Sequence, residues 1–134
     1  MAYLNAIYYT DNGPSHGPGF PPVIFIHGFF MDSRMFKKQI LYLQDKYRVV
    51  CMDIRGFGRS HCAKSKFTLY DIADDIIKLA DHLKLTKFVI CGMSMGGYIA
   101  LRACMRYRER VCGLILIGSQ AERDNEETDR KSVV

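Results

Sequence analysis

A serine flanked by glycines is the clearest candidate for chemistry in this sequence. The segment Gly92–Gly97 reads Gly-Met-Ser-Met-Gly-Gly, which places Ser94 in a G-x-S-x-G pattern. Between a strand and a helix, this pattern predicts a sharp turn that strains the serine backbone and exposes its hydroxyl. Gly92 and Gly96 remove side chains that would collide with the strand and the helix. Because the helix amides favour a developing negative charge, Ser94 could act as a nucleophile.

Chance and two other glycine-rich turns are the alternatives to this interpretation. A lone G-x-S-x-G string occurs by chance in many sequences, but here the strand, the turn and the helix agree. A dinucleotide-binding turn needs glycine at position 94, and a P-loop needs Gly-Lys followed by serine or threonine. The segment has neither feature, so both of these readings fail.

The rest of the chain predicts the elements that must hold this turn. Segments rich in β-branched and apolar residues alternate with segments of helical period. Thr68, with Asp71 three residues later, forms a capping box. Because the strands are apolar on both faces, we predict an α/β fold with a mostly parallel sheet and helices on both faces. The predicted strands are 3–10, 23–26, 48–52, 88–91 and 114–117, and the predicted helices are 33–46, 69–83 and the segment after Ser94.

The first predicted helix has a defined apolar side. Asp32 or Ser33 can cap it, and the helical period then groups its apolar residues on one face. These residues are Met35, Phe36, Ile40, Leu41 and Leu43.

Two further motifs follow predicted strands. His27 and Gly28 come directly after the strand 23–26, and the segment Asp53–Ser60 reads Asp-Ile-Arg-Gly-Phe-Gly-Arg-Ser after the strand 48–52. Gly56 and Gly58 permit a tight loop there. Asp53 and Arg55 can tie down the backbone of that loop, so we interpret this motif as structural.

The order and spacing of these three motifs resemble those of the α/β-hydrolase superfamily, within its group of esterases, cofactor-free haloperoxidase-like enzymes and lactonases. The resemblance runs from the first strand to the strand that ends at Ile117. It implies that Ser94 is the nucleophile and that the backbone N–H groups of Phe29 and Met95 form the oxyanion hole. It also implies that residues 32–36 line the mouth of the site. Haloalkane dehalogenases and epoxide hydrolases of similar pattern have aspartate at this position, so the serine argues against those reactions.

The histidines have no evident role as a base for Ser94. The resemblance places His27 in the oxyanion loop, and we interpret it as a structural, hydrogen-bonded histidine. His16, His61 and His82 fall in loop or helix-surface contexts and are expected to be solvated. In this superfamily the acid and then the histidine of the triad follow the serine along the chain. All four histidines of this sequence precede Ser94.

Two functional hypotheses follow. The first is a serine hydrolase that acts on carboxylic esters or lactones through an acyl-enzyme, with the acid and histidine of the triad supplied by residues or a partner outside this chain. The second is a catalytically inactive fragment or interaction module that retains the architecture. Both expect residues 1–119 to be the N-terminal part of a hydrolase core, truncated after the strand ending near Ile117. Residues 120–134 would then be a polar tail that begins the linker or helix of a lid.

Composition restricts the partners. The formal charge is +5, but the basic residues are scattered and no zinc-finger or RNA-binding signature occurs, so no nucleic-acid partner is expected. The five cysteines form no C-x-x-C pair, and we expect no metal and no cofactor. No signal peptide or apolar span is evident, which predicts a cytoplasmic protein with no membrane association. The expected partner is a small ester or lactone, and the apolar strand 114–117, which no later strand pairs with, predicts association through its edge.

Overall fold

A computed structural model of the chain describes residues 2–14 and 19–119, and it shows one six-stranded sheet in the order β1-β2-β4-β3-β5-β6. β1 pairs antiparallel with β2, and β2 pairs antiparallel with β4. β4, β3, β5 and β6 run parallel. The strands are β1 (Ala2–Leu4), β2 (Ile7–Asp11), β3 (Val23–Ile26), β4 (Val49–Met52), β5 (Phe88–Met93) and β6 (Val111–Ile117).

Helices cover both faces of this sheet, which confirms the predicted fold class. One face packs against α2 (Leu69–His82) and α3 (Met95–Arg106). The opposite face carries a smaller cluster that includes Phe25, Phe36 and Cys51. That cluster lies under a 3₁₀ turn (Ser33–Phe36) and the α1 helix that continues it (Lys37–Leu43). The site therefore stands on a sheet whose core is much larger on the α2–α3 side.

The N-terminal strand prediction is wrong in its bounds. The segment 3–10 is a hairpin of β1 and β2 rather than one strand, with Asn5 at the turn. Asn5 has a φ of 52°, and asparagine tolerates this left-handed backbone better than most residues. Periodicity alone missed the turn because apolar and aromatic residues continue on both sides of it.

The first helix is also shorter and less regular than predicted. Its N-cap is Asp32, whose carboxylate accepts a hydrogen bond from the Arg34 amide at 2.9 Å, as the sequence indicates. The chain then makes a 3₁₀ turn before α1, and α1 ends at Leu43 instead of near Lys46. Leu41, predicted on the apolar side, is 54% exposed. Only a narrow stripe of this helix reaches the sheet.

The capping box of α2 is confirmed in full. The Thr68 hydroxyl accepts from the Asp71 amide at 3.2 Å, and the Asp71 carboxylate accepts from the Thr68 amide at 2.7 Å. Ile72 and Ile76 are fully buried on the inner face of this helix. The helix therefore starts where local chemistry dictates and packs where its apolar period dictates.

β6 lies at one edge of the sheet as the structure describes it. Within residues 2–14 and 19–119, it pairs only with β5. Leu114 and Leu116 pack on the core of the α2–α3 side, whereas Ile115 and Ile117, which alternate with them, are about half exposed. Association through this edge remains a prediction, and the predicted lid segment 120–134 lies outside the described residues.

None of the described helices is both long enough and apolar enough to cross a membrane.

Candidate active site

The site is built where the parallel strands end together. His27 follows β3, Asp53 follows β4 and Ser94 follows β5, and parallel strands bring their carboxyl ends to one edge of the sheet. Ligand sites in open α/β sheets lie at this edge. β3 and β5 are interior strands, so the residues after them are held from both sides.

Ser94 has the strained backbone that the sequence predicts. Its φ is 51° and its ψ is −116°, and an L-residue rarely adopts this region. Its amide donates to the Ile117 carbonyl at 2.8 Å, which continues the ladder between β5 and β6. The residue is exposed at the start of α3. The strain therefore presents the serine to solvent at the tip of an interior strand.

The flanking glycines are required by close backbone approach, as predicted. A Cβ on Gly96 would lie 2.7 Å from the His27 carbonyl oxygen and closer still to that of Ile26. A Cβ on Gly92 would lie 2.6 Å from the Gly97 amide nitrogen. A side chain at Gly97 would collide with Ser119. Since most of these neighbours are backbone atoms, a larger residue could not be accommodated by turning a side chain.

Ser119 forms a hydrogen bond to the Ser94 turn that the sequence does not predict. Its hydroxyl donates to the Ser94 carbonyl at 2.8 Å. The bond joins the segment after β6 to the turn after β5, so the two parallel strands are linked beyond their ladder. No local pattern in the sequence indicates this contact, since the two residues meet only after the strands pair.

The loop after β3 approaches the serine at Gly28. Gly28 packs closely enough that a Cβ there would lie 3.6 Å from the Ser94 Cβ. The Met31 amide donates to the Gly28 carbonyl at 3.2 Å, which closes a turn around Phe29 and Phe30. The amides of Phe29 and Met95 hydrogen-bond to no other residue in the described part of the chain.

An apolar surface surrounds this turn. Phe30 is 85% exposed and has a φ of 57°, and its ring centroid lies 4.1 Å from that of Phe29. Phe29 in turn lies edge-on to Phe57 at 5.5 Å. No motif in the sequence indicates Phe30 or Phe57 as a site residue. The two adjacent phenylalanines after Gly28 were the available signal.

His27 is fully buried and both of its ring nitrogens are engaged. Nε2 accepts from the Ile54 amide at 2.9 Å, which leaves Nδ1 to donate to the Gly28 carbonyl at 2.7 Å. Burial lowers the pKa of this imidazole, although the Gly28 carbonyl and the carboxylates of Asp53 and Asp32 oppose that shift. A neutral ring with this tautomer joins the loop after β3 to the loop after β4.

Asp53 ties down the loop after β4. It is 1% exposed, and one carboxylate oxygen accepts from the Ser33 amide at 2.7 Å while the other accepts from the Arg59 amide at 2.8 Å. Its carbonyl accepts from the Ser60 hydroxyl at 2.6 Å. Every polar atom of this side chain is thus used inside the protein.

The two glycines of this loop both have positive φ values. Gly56 has a φ of 78° and Gly58 a φ of 53°. A Cβ on Gly58 would also lie 2.7 Å from the Cβ of Asp32. The loop can close on itself only because these positions carry no side chain.

Arg55, Ser33 and Phe36 differ from the prediction. Arg55 does not hold its own loop, because its guanidinium pairs with the Asp75 carboxylate on α2 at 2.7 Å. Phe36 is buried in the small cluster on the α1 face, and Ser33 is buried where its amide donates to Asp53, so neither side chain is exposed at the mouth of the site. In each case the sequence shows the residue type but not the direction in which the side chain points.

None of the described histidines reaches Ser94 as a base. His61 and His82 are exposed, as expected. The His61 amide binds the Ala6 carbonyl at the β1–β2 turn, and His82 packs against Tyr9 on β2. β2 lies three positions from β5 in the sheet, or about 14 Å at the usual strand spacing. His16 lies outside the described residues.

The described residues contain no group of three or more histidine, cysteine, aspartate or glutamate side chains placed to hold a metal ion.

Comparison with known proteins gives the same architecture. A family model described as the alpha/beta hydrolase fold matches residues 21–133. The solved structure of a thermophilic esterase from Thermogutta terrifontis superposes with a TM-score of 0.82 and 38% identity, over 93% of this chain and 44% of that chain.

Two curated relatives differ in the reaction that their names describe. The chain is 33% identical over 102 residues to 3-oxoadipate enol-lactonase 2 of Acinetobacter baylyi, which covers 76% of this chain and 38% of the relative. It is 34% identical over 121 residues to the proline iminopeptidase of Neisseria gonorrhoeae, which covers 88% of this chain and 38% of the relative. The chain therefore spans well under half the length of these relatives.

Proposed function

This chain belongs to the α/β-hydrolase family, and from that premise we propose that it forms part of a serine hydrolase that cleaves carboxylic esters or lactones. The observation that carries the proposal is Ser94 itself. It is exposed and held at a φ of 51° at the end of an interior parallel strand. Met95 follows it, Phe29 follows the Gly28 that packs near it, and the amides of both bind no other described residue. An exposed serine beside unengaged N–H donors is the arrangement that acyl transfer needs.

In the proposed reaction the Ser94 Oγ attacks the carbonyl carbon of the substrate. The proton of Oγ passes to a general base, and the carbonyl oxygen becomes an oxyanion. The amides of Phe29 and Met95 would donate to that oxygen, and the N-terminal end of α3 adds a favourable field. When the tetrahedral intermediate collapses, the C–O bond to the leaving group breaks and the protonated base gives its proton to the leaving oxygen. The acyl-enzyme left on Ser94 is then hydrolysed by water.

His27 is unsuited to the role of base. Its Nε2 already accepts from the Ile54 amide and its Nδ1 already donates to the Gly28 carbonyl. Use of either nitrogen would break the link between the two loops that carry the site. We therefore expect the histidine and its acid partner to come from a segment or partner that this chain does not contain.

The substrate assignment follows from the chemistry of the site and from its relatives. The related esterase and enol-lactonase are named for ester and lactone substrates. The exposed rings of Phe29 and Phe30, in the loop whose Gly28 packs near Ser94, suit an apolar acyl or alcohol group. An amide substrate is the second candidate, because the related proline iminopeptidase covers more of this chain than the lactonase does. Both reactions use the same attack on a carbonyl carbon.

A fluorophosphonate probe tests the nucleophile directly. The serine Oγ displaces fluoride from phosphorus, and the label is located by peptide mass spectrometry. We expect slow labelling of Ser94 in the chain alone and faster labelling when imidazole is added as an external base. Ser94→Ala should abolish the label, whereas Ser65→Ala, a change at another exposed serine, should leave it unchanged.

Substrates then distinguish the two reaction classes. In a protein of the relatives' length that contains this chain, we expect hydrolysis of 4-nitrophenyl esters to exceed that of proline 4-nitroanilide, and Ser94→Ala to remove both. If anilide cleavage exceeds ester cleavage, the amide candidate replaces the ester proposal. If Ser94 is not labelled under any of these conditions and no turnover depends on it, the chain is the inactive architecture of the second hypothesis.

A further inference from the structure

A second concave surface lies away from Ser94, on the face of the sheet that α1 covers. It is a groove of about 250 Å³ between β2 and the 3₁₀ turn with α1. Thr10 of β2 is in register with Cys51 of β4, and Cys51 belongs to the small apolar cluster under α1. The groove is therefore part of the α1 face, beside that cluster.

The floor of the groove is apolar. Thr10 and the nearly buried Tyr8 line it from the strand, and Ile40 and Leu41 line it from the helix. Leu41 is 54% exposed, although the helical period predicts it on the buried side of α1. Burial of an exposed leucine by a ligand would contribute favourable free energy, since apolar area leaves water.

The rim of the groove is basic. Arg34, Lys37 and Arg59 line it. Arg34 is already paired with the Asp32 carboxylate at 2.6 Å. Arg59 lies over the Tyr8 ring, with its guanidinium carbon 4.6 Å from the ring centroid, and donates to the Tyr8 hydroxyl.

Of these three cations, Lys37 has the fewest contacts with other charged or aromatic groups. It is exposed, and it forms no ion pair with any carboxylate in residues 2–14 and 19–119. Its ammonium group and the outward N–H groups of Arg59 can meet an anion at the rim. The groove thus combines an apolar floor with a cation at its rim that is not paired with a carboxylate. This combination complements a molecule with an apolar body and a single negatively charged end.

We propose that this groove binds a small amphipathic carboxylate, with its ring or short chain on Ile40 and Leu41 and its carboxylate at Lys37 and Arg59. The volume of the groove lies just below the range of about 300–1,000 Å³ for pockets of drug-sized ligands, which favours a ligand the size of a phenylalkanoate. The site does not depend on Ser94, so it stands or falls separately from the proposed hydrolase activity.

The test is a titration of the ¹⁵N-labelled chain with 4-phenylbutyrate, followed by amide chemical shifts. We expect the largest shifts at Thr10, Ser33 and Leu41. The neutral analogue 4-phenylbutanamide should bind several-fold more weakly, because it lacks the charge that Lys37 and Arg59 complement. Raising the salt concentration from about 0.02 M to about 0.5 M should weaken the binding of the carboxylate but not that of the amide, since salt screens exposed charges.

Two neighbouring pairs on α1 supply matched variants. Lys37→Gln should lower the affinity for 4-phenylbutyrate by about threefold to fivefold, which is the effect of losing one partly screened ion pair. Lys38→Gln makes the same charge change outside the groove and should leave the affinity unchanged. Leu41→Gln should lower the affinity for both the acid and the amide. Tyr42→Gln, which like Lys38→Gln lies outside the groove, should leave both affinities unchanged.

Three results would overturn the proposal. Equal affinity for the acid and the amide would show that the basic rim contributes nothing. Equal effects of Lys37→Gln and Lys38→Gln on the affinity would show that binding depends on the net charge of the chain and not on the position of Lys37. Shifts centred on the exposed Phe29 and Phe30 rings would place the ligand at the Ser94 turn instead. The spectrum of each variant without ligand shows whether it is folded, so a loss of binding cannot be mistaken for unfolding.

Discussion

Two glycine-bearing turns lie at the same edge of the sheet, and they use glycine in different ways. In the loop Asp53–Ser60 the positive φ values belong to Gly56 and Gly58, and the polar side chains at its two ends, Asp53 and Ser60, are buried and hydrogen-bonded. In the turn Gly92–Gly97 a positive φ falls on Ser94, which is exposed. The glycines of this turn instead make room for neighbouring backbone.

The difference separates a turn that supports the fold from a turn that presents a side chain. In the loop relaxed by glycine, the carboxylate of Asp53 and the hydroxyl of Ser60 are both used for hydrogen bonds inside the protein. A turn that forces a non-glycine residue into a strained conformation costs stability, of order 1–3 kcal/mol, and such strain clusters at functional sites. His27 connects the two, because its ring binds the Ile54 amide of one turn and its carbonyl packs against Gly96 of the other.

The largest effect is expected from a substitution that tests how closely Gly96 packs against the neighbouring backbone in the Ser94 turn. Gly96→Ala would push a Cβ against the carbonyls of Ile26 and His27, and since backbone cannot turn aside, we expect a loss of about 3 kcal/mol or more. Urea denaturation followed by circular dichroism measures this loss. Gly28→Ala is the matched control, because its Cβ would meet Met93 at an ordinary 3.4 Å. Equal losses in the two variants would mean that close packing does not distinguish these glycines.

The next effect tests the buried carboxylate of the other turn. Asp53→Asn keeps the shape of the side chain but turns an N–H₂ group toward a backbone N–H of Ser33 or Arg59. One buried donor then lacks an acceptor, so we expect a loss of about 2 kcal/mol in unfolding free energy. Asp45→Asn, at an exposed position, should change stability by no more than about 0.5 kcal/mol. A neutral Asp53→Asn would show that the loop does not depend on this carboxylate.

A smaller, pH-dependent effect tests the link between the turns. Burial lowers the pKa of His27 in the folded protein, so its contribution to stability is fully present above the unfolded value of about 6.5 and is lost as the pH falls through the folded pKa. One proton changes the free energy of unfolding by at most about 1.4 kcal/mol per pH unit. Denaturation at a series of pH values from about 7 to 5 measures this slope.

His27→Gln should remove this slope, and His61→Gln, at an exposed histidine, should leave it intact. The carboxylates contribute in a separate window. Hydrogen bonding to Arg34 lowers the pKa of Asp32 to about 2, so its effect appears only below about pH 4. A profile that stays flat below pH 6.5 in the unmodified chain would contradict the assignment of a neutral His27.

The smallest effect tests whether Ser94 is strained. Ser94→Gly should stabilise the chain by about 0.5–1 kcal/mol, because relief of the positive φ exceeds the added entropy of glycine in the unfolded state. Ser94→Ala should be nearly neutral, since alanine has the same backbone restriction. Ser65→Gly, at an exposed residue without positive φ, should not stabilise. A destabilising Ser94→Gly would show that the turn holds its serine without strain.

Much of this arrangement can be read from the sequence where the cause is local. The capping box at Thr68, the parallel strands and the glycines around Ser94 each depend on residues a few positions apart, and each was predicted correctly. The hairpin at Asn5 and the end of α1 were not, because apolar periodicity continues through both and only packing against the sheet decides where each element stops.

The direction of individual side chains was the weaker part of the prediction. Arg55 was expected to hold its own loop and instead pairs with Asp75 on α2. Leu41 was expected in the core and instead lines an open groove. In both cases the outcome depends on which element lies nearby after folding, and no local signal in the sequence carries that information.

The sequence by itself determined the class of the fold, the position of the strained turn and the residue that the turn presents, because glycine, serine and β-branched residues act over short distances. Only the tertiary structure decided that His27 is held at both nitrogens, that Ser119 ties the Ser94 turn to β6, and that a basic groove opens beside α1. The His27–Ile54 and Ser94–Ser119 contacts join residues 27 and 25 positions apart in the chain, and the groove joins β2 to α1 and to Arg59. Such contacts form only when the sheet has brought its strands together.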